Sequence, residues 1–215
     1  MLSAFTSAFR TPDLRKKLLF TIAIIAVYRL GATLPSPGVS YTNVQNCLEA
    51  LDSSEGGGGV LTLLNLFSGG ALLQLSVFAL GIMPYITASI ILQLLTVVIP
   101  RLEQLRKEGQ SGQAKITQYT RYLTLGLAVL QSAAFVALAR TGQLFSGACP
   151  QDQAQFQIVP ENTGIPMWLT LGILVLTMTA GTGVVMWLGE LITDRGVGNG
   201  MSVLIFASIA ARLPS

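Results

Sequence analysis

Long apolar runs alternate with short polar segments along the chain. The runs cover about residues 18–34, 72–99, 122–139, 167–188 and 201–213. A bilayer has a hydrocarbon core of about 30 Å, which a helix of about 20 apolar residues crosses. The pattern therefore predicts an all-α membrane protein, a polytopic bundle with five transmembrane helices. The last run is short, so it is either a tilted helix or one cut by the end of the sequence, and we expect the chain to be part of something longer.

Composition supports the membrane class. Hydrophobic residues make up 51% of the 215 residues and charged residues 11%, with a mean hydropathy of +0.62. Soluble domains carry roughly a quarter charged residues. The net charge of +3 does not indicate nucleic acid, because the basic residues form neither an arm nor a stripe.

The basic residues predict an orientation. Four precede the first apolar run, five lie within 101–121, and Arg195 follows the fourth run, whereas the alternate segments contain only Arg140 and Arg212. Under the positive-inside rule, the N-terminus and 101–121 lie in the cytoplasm. We therefore expect a multi-pass membrane protein with a cytoplasmic N-terminus.

Candidate chemistry is sparse. Histidine is absent, and Cys47 and Cys149 are the only cysteines. Both lie in predicted outer loops, where a disulfide is possible but two unpaired thiols are the commoner state. The sequence predicts no catalytic residue, no metal site and no cofactor, and hence not an enzyme.

A stretch of 45 residues, from Gly56 to Pro100, contains no charge. As one helix it would extend roughly 67 Å, more than twice the hydrocarbon thickness. The acidic segment before it is predicted outside and the basic segment after it inside. The stretch therefore holds one membrane crossing and an excess of residues that do not cross. Gly56 to Gly59 and the Ser68-Gly69-Gly70 hinge place the excess at 60–67, which is too short to span. We predict a re-entrant half-helix in the outer mouth of a cavity; an apolar loop packed on the outer surface is the alternative.

The crossing after this piece carries two stripes and a proline, Pro84, predicted to kink the helix. Ile82, Ile86 and Ile90 recur at a spacing of four residues. The neighbouring stripe is polar and consists of Tyr85, Ser89, Gln93 and Thr96. One helix thus offers an apolar constriction and a polar seam, although ordinary interhelical hydrogen bonding also explains the polar residues.

Four linked motifs resemble a known family. They are Asn65–Ala71, Phe78–Ile86, Lys107–Tyr122 and Trp187–Gly200. Together they resemble the N-terminal half of the SecY family, the channel subunit of the bacterial protein-conducting translocon. The resemblance implies ten helices in two inverted five-helix halves around a pore, with this chain supplying helices one to five.

The resemblance also implies roles for particular residues. The re-entrant piece would be a plug that closes the outer funnel. The plug residues are Val60, Leu61, Leu63, Leu64, Asn65, Leu66, Phe67, Ser68, Gly69 and Gly70. Ile82, Ile86 and Ile205 would belong to an apolar ring that seals the pore.

The helices at 76–99 and 121–139 would form one side of a lateral gate towards lipid. The expected gate residues are Thr87, Ser89, Gln93 and Gln131. Structural hydrogen bonding is the stronger alternative for the two glutamines.

The expected partners follow from the same resemblance. They are the SecE and SecG subunits, the SecA motor, the ribosome, signal peptides and translocating polypeptides, together with membrane lipid and no specific nucleic acid. A cytosolic docking loop would present Arg106, Lys107, Lys115 and Arg121. Anionic headgroups are an alternative ligand for that loop.

The resemblance thus implies the pore-forming subunit of a channel in the cytoplasmic (plasma) membrane, which passes secretory polypeptides across it and releases membrane segments laterally. Half of an inverted-repeat secondary transporter is the alternative, disfavoured because no predicted span contains Asp or Glu. An intramembrane enzyme is a second and weaker alternative. Arg29, within the first run, is assigned no role, since it can snorkel or pair with another helix. Thr177 and Gly181 indicate close helix packing.

Overall fold

The computed structural model describes residues 12–53, 68–141, 143, 157–159 and 166–211, with the side chains of 50–53 excepted. Predicted plug residues 60–67 and Cys149 lie outside this part. The described helices are α1 (Pro12–Thr33), α2 (Tyr41–Ser53), α3 (Met83–Val98), α4 (Pro100–Lys107), α5 (Gln110–Arg140), α6 (Met167–Arg195) and α7 (Gly200–Ala210).

Two of the described helices, α5 and α6, are long and apolar enough to cross a membrane. The pair α3 and α4 passes the same test together and is bent by 100°, so it counts as a third if it is one span. α7 is a shorter apolar helix. α1 begins at Pro12, with Asp13 in its first turn, because proline fits the first helical position and an acid favours the positive end of the helix dipole.

The predicted loop 101–121 is helical instead. Ile99 is extended, as expected for a residue before proline, and Pro100 opens α4 in a new direction. α5 then starts at Gln110, directly after Gly109 with φ +74°. The basic residues assigned to a loop therefore lie on α4 and the first turns of α5.

The predicted crossing 72–99 becomes helical only at Met83. Residues 68–82, here called the turn segment, consist of consecutive turns. Pro84 lies in the first turn of α3, where proline is well tolerated, so the predicted kink is wrong. The end of α1 fixes the turn segment through two backbone bonds, Ser36 N to Leu75 O at 3.1 Å and Val77 N to Leu34 O at 3.0 Å.

Glycines allow the turn segment to pass between α1 and α6. A Cβ at Gly181 of α6 would lie 2.0 Å from the carbonyl oxygen of Val77. A Cβ at Gly31 of α1 would lie 2.0 Å from the ring of Phe78. The missing side chain at Gly181 thus makes room for the non-helical backbone at Val77, whereas the sequence had indicated only close packing of another helix.

α2 is an element that the sequence reasoning missed. Val44 and Cys47 are fully buried on its inner face, and Cys47 is disulfide-bonded. Asn43 Nδ2 donates to Gln157 O at 2.7 Å, and Ser40 N donates to Ile158 O at 3.0 Å. These bonds hold α2 against residues 157–159.

Two buried apolar clusters organise the described part, and the turn segment contributes to both. The first includes Val44, Cys47, Leu75, Leu80, Val136, Ile158, Leu174 and Met178. The second consists of Ile24, Tyr28, Phe78, Ile82, Val185, Leu188, Ile192 and Leu204. Burial of these side chains connects α1, α6 and α7 through the segment that is not helical.

Gly181→Ala in the full-length protein is expected to destabilise it by about 1–3 kcal/mol, because the new methyl group must displace backbone. Gly172→Ala is the matched control on the same helix, since nothing lies within 4 Å of its Cβ position. The control is expected to leave the melting temperature unchanged or raise it, as alanine favours helix. Equal melting temperatures for the two variants in detergent would contradict the packing described.

Candidate functional site

A cavity of about 510 Å³ lies among α3, α5, α6 and α7. We call it the vestibule. Its lining residues are Tyr85, Ile86, Ser89, Ile90, Gln93, Thr117, Arg121, Glu190, Thr193, Asp194, Asn199, Met201, Ser202 and Ile205. Polar and charged groups from four helices therefore face one space beside two of the predicted ring isoleucines.

The three predicted ring residues lie together. Ile82 is 6% exposed and belongs to the second buried cluster, against which Ile86 and Ile205 pack. Ile82 is the residue before the first turn of α3, whereas Ile205 comes from α7. The structure thus brings isoleucines more than a hundred residues apart in sequence to one apolar cluster, and two of them, Ile86 and Ile205, also line the vestibule.

The predicted polar stripe of α3 also faces cavities. Tyr85, Ser89 and Gln93 line the vestibule, and Thr96 lines a second cavity of about 420 Å³ against α5. Thr96 Oγ1 donates to Gln93 O at 2.6 Å, so its hydroxyl is satisfied within the helix. The stripe therefore lies at an internal seam of the bundle.

An ion pair joins α5 and α6 at the vestibule wall. Arg121 Nε lies 2.8 Å from Glu190 Oε1, and Arg121 Nη2 lies 2.7 Å from Glu190 Oε2. This bidentate arrangement fixes both side chains in orientation as well as distance. Arg121, expected to be a docking residue, is engaged by a neighbouring helix.

Sequence reasoning missed the role of Glu190 because it ended the fourth span at 188. α6 continues to Arg195 and carries Glu190 and Asp194 on the vestibule wall. The sequence did contain a signal for this pair: Arg121 directly precedes the third apolar run, and Glu190 closely follows the fourth.

The other predicted docking residues lie at the surface of α4 and α5. Lys107 Nζ is 2.6 Å from Glu103 Oε1, and the hydrogen bond and charge of this lysine lower the pKa of the Glu103 carboxyl. Lys115 Nζ lies 3.9 Å from Glu108 Oε2, and Arg106 lines the second cavity. Both lysine pairs are exposed, so they add little to stability.

The four predicted gate residues divide between two places. Thr87 and Gln131 line a cavity of about 280 Å³ between α3, α5 and the turn segment. Ser89 and Gln93 line the vestibule instead, with Gln93 Nε2 lying 3.4 Å from Ser89 Oγ. Two separate cavities therefore border the boundary between α3 and α5.

The described end of the predicted plug is a sharp turn. Gly69 has φ +67° and Gly70 φ +90°, conformations that side chains disfavour. Ser68 is 3% exposed, and its Oγ accepts a bond from Leu72 N at 3.1 Å. Glycine is thus required where residues 60–67 join the turn segment.

No group of three or more His, Cys, Asp or Glu side chains that suits a metal ion occurs in the part of the chain that the structure describes.

These features define a helical membrane protein with an internal cavity between its helices. A family model described as SecY matches residues 76–215. The chain is 65% identical over 215 residues to protein translocase subunit SecY of Streptomyces coelicolor, and 59% identical to that of Mycobacterium bovis. The alignments cover 100% of this chain and 47% and 46% of those relatives.

The chain therefore belongs to the SecY family, and it spans about half the length of the curated relatives it matches. The comparisons do not support the alternative of a secondary transporter.

Arg121→Gln in the full-length protein is expected to lower stability by roughly 1 kcal/mol, because it leaves Glu190, with 16% of its side chain exposed, without its bidentate partner. The loss is expected to shrink at high salt, which screens this partly exposed pair. Lys107→Gln, which removes an exposed pair, serves as control and is expected to leave the melting temperature unchanged. A larger loss of stability for Lys107→Gln than for Arg121→Gln would contradict the expected order of the two ion pairs.

Proposed function

We propose that this chain forms the N-terminal half of the pore-forming subunit of a protein-conducting channel in the cytoplasmic membrane. The channel passes secretory polypeptides across the membrane and releases membrane segments into lipid. The relatives' printed name, protein translocase subunit, supports this role. The observation that carries it is the packing of Ile82, Ile86 and Ile205 in one apolar cluster, from which Ile86 and Ile205 face the vestibule.

An aliphatic constriction suits a channel for polypeptides of any sequence. Isoleucine side chains offer no hydrogen bonds, so they contact an extended chain without selecting among its side chains. When the pore is empty, the same surfaces disfavour water and ions. Ile82 directly precedes α3, Ile86 lies on α3 and Ile205 lies on α7, so relative movement of these two helices changes the width of the constriction.

The vestibule is the entrance in this proposal. Its wall carries hydroxyls, amides and charges of both signs, including the Arg121–Glu190 pair and Asp194. A hydrated polypeptide can exchange its water for these groups before it reaches the isoleucines. In this proposal the N-terminus and the vestibule lie on the cytoplasmic side, and the distribution of basic residues supports that orientation.

Lateral release would use the seam between α3 and α5. Thr87 and Gln131 on one cavity and Ser89 and Gln93 on the other put polar groups along a boundary that must open towards lipid. Weak polar contacts suit such a boundary, since interhelical hydrogen bonds in membranes contribute only about 0.6–2 kcal/mol each.

Residues 60–70 act as the plug, attached through the glycine turn at 69 and 70. In this proposal the channel has no catalytic chemistry of its own and works with other subunits. The relatives' printed name, protein translocase subunit, describes those proteins as parts of an assembly. SecE, SecG, SecA and the ribosome are the proposed partners, and signal peptides and translocating polypeptides are the proposed ligands.

A photoreactive residue at position 86 of the full-length channel is expected to crosslink a secretory polypeptide stalled in transit. Position 94 provides the control, because Leu94 lies two turns along the same helix, is 64% exposed and does not line the vestibule. The control is expected to crosslink lipid or other membrane components. Crosslinks from position 86 to lipid alone would disprove its place in the pore ring.

Deletion of residues 60–67 in the full-length channel is expected to raise the resting ion conductance several-fold, because nothing would then close the outer funnel. The measurement is single-channel recording or ion flux in vesicles, with the parent channel as reference. An unchanged conductance would count against the plug.

A further inference from the structure

A groove of about 850 Å³ lies between the end of α5 and the start of α6. We call it the α5–α6 groove. The described residues that line it are Ala133, Val136, Ala137, Arg140, Thr141, Leu171, Gly172, Val175 and Leu176. None of these residues lines the vestibule or the cavity beside the turn segment. The groove is therefore separate from the proposed pore.

The apolar part of the groove has a packed floor. Val136 is 4% exposed and belongs to the first buried cluster, and Leu171 and Val175 pack against that cluster. Leu176 adds a side chain that is 68% exposed. Gly172 leaves space, since nothing lies within 4 Å of the position that a Cβ there would occupy. The volume lies within the range of about 300–1,000 Å³ that is typical of sites for small molecules.

The two polar residues of the groove are neighbours at one end of it. Arg140 is the last residue of α5, and Thr141 follows it. Thr141 Oγ1 donates to Leu138 O at 3.1 Å, so its proton is already used within the chain. Within the described ranges, no acidic side chain forms a salt bridge with Arg140. The groove thus combines an apolar floor with one cationic end.

The cationic end lies where lipid headgroups are expected. α5 and α6 are the two described helices that can each cross a membrane, and Arg140 ends the first of them. Trp168, one turn before Gly172 on α6, is 72% exposed, and tryptophan is enriched at the interface between membrane and water. From Arg140 back to Ala133, α5 extends roughly 10 Å. The apolar floor therefore continues from headgroup level into the hydrocarbon.

An anionic phospholipid has the matching distribution of charge and apolar surface. Snorkelling and the helix dipole explain an arginine at the end of a helix, but they do not explain an apolar cleft that begins beside it. The planar guanidinium can donate two parallel hydrogen bonds to a phosphate group. A flexible acyl chain can follow the floor without offering polar groups that would need partners.

We propose that the α5–α6 groove binds one anionic phospholipid, whose phosphate contacts Arg140 and whose acyl chain lies along Val136, Leu171 and Val175. This lipid would fill the space between the two helices and stabilise their packing. In the orientation predicted from the basic residues, it belongs to the outer leaflet. The inference does not rest on the proposed function, because the groove lies outside the proposed pore.

The test uses the full-length protein, with the subunits that copurify with it, in vesicles of zwitterionic phospholipid. Trp168 is kept as the only tryptophan, and the others are replaced by phenylalanine. Its fluorescence is quenched by phospholipids brominated on the acyl chain, which have either an anionic glycerol or a zwitterionic choline headgroup. Each brominated lipid makes up a small fraction of the bilayer, so a lipid bound in the groove quenches Trp168 more than that fraction predicts.

The headgroup contact is tested at Arg140. The parent protein is expected to show stronger quenching by the anionic lipid. Arg140→Gln is expected to lower this preference about fivefold, which is the effect of one basic residue near an anionic membrane surface. Arg140→Lys keeps the charge and is expected to lower it less. Retention of the full preference by Arg140→Gln would overturn the proposal.

The apolar part is tested by filling the groove. Gly172→Leu is expected to reduce quenching by both lipids, because the new side chain occupies the space of the acyl chain. Gly126→Leu is the matched control, since nothing lies within 4 Å of its Cβ position either and Gly126 does not line the groove. Equal quenching in these two variants would overturn the proposal. Quenching of the parent protein no stronger than the bilayer composition predicts would do so too, and would indicate that a helix of another subunit covers the groove.

Discussion

A backbone amide without a hydrogen-bond partner costs roughly several kcal/mol in hydrocarbon, and this cost governs how residues 68–82 are built. The segment is not helical, so its amides find partners in successive turns, such as Gly81 N to Phe78 O at 2.8 Å, and in the end of α1. Such backbone is tolerated at membrane depth only where protein surrounds it. Gly31 and Gly181 leave the space in which α1 and α6 provide that surrounding.

The proposed pore depends on the way in which α1 and α6 enclose the turn segment. Because the turn segment is fixed between α1 and α6, it sets where α3 begins and hence where Ile82 and Ile86 lie. The same segment begins at the glycine turn, beside Arg29 and the end of α7. The proposed seal and the glycine turn therefore share a support, and a change in how the turn segment packs alters both.

Apolar periodicity and charge predicted the membrane class and the isoleucine stripe at positions 82, 86 and 90, because each depends on neighbours in sequence. The beginning of α3 at Met83 was not predictable in this way, since the apolar run from residue 72 suits helix and buried turns equally. The bond between Arg121 and Glu190 joins residues far apart in sequence, as do the bonds from Arg29 Nη2 to the carbonyl oxygens of Ala207 and Ser208. They follow from tertiary packing, which one sequence does not reveal.

The right-angled junction of α3 and α4 has a mechanical consequence. α4 packs on the start of α5 so closely that a Cβ at Gly112 would overlap the carbonyl of Leu105. α4 therefore connects the end of α3 to the start of α5 directly, although cavities lie between these two helices both at the α4 end, about 420 Å³, and beside the turn segment, about 280 Å³. Because the two helices are joined at one end, they can hinge about that junction more readily than they can slide along each other.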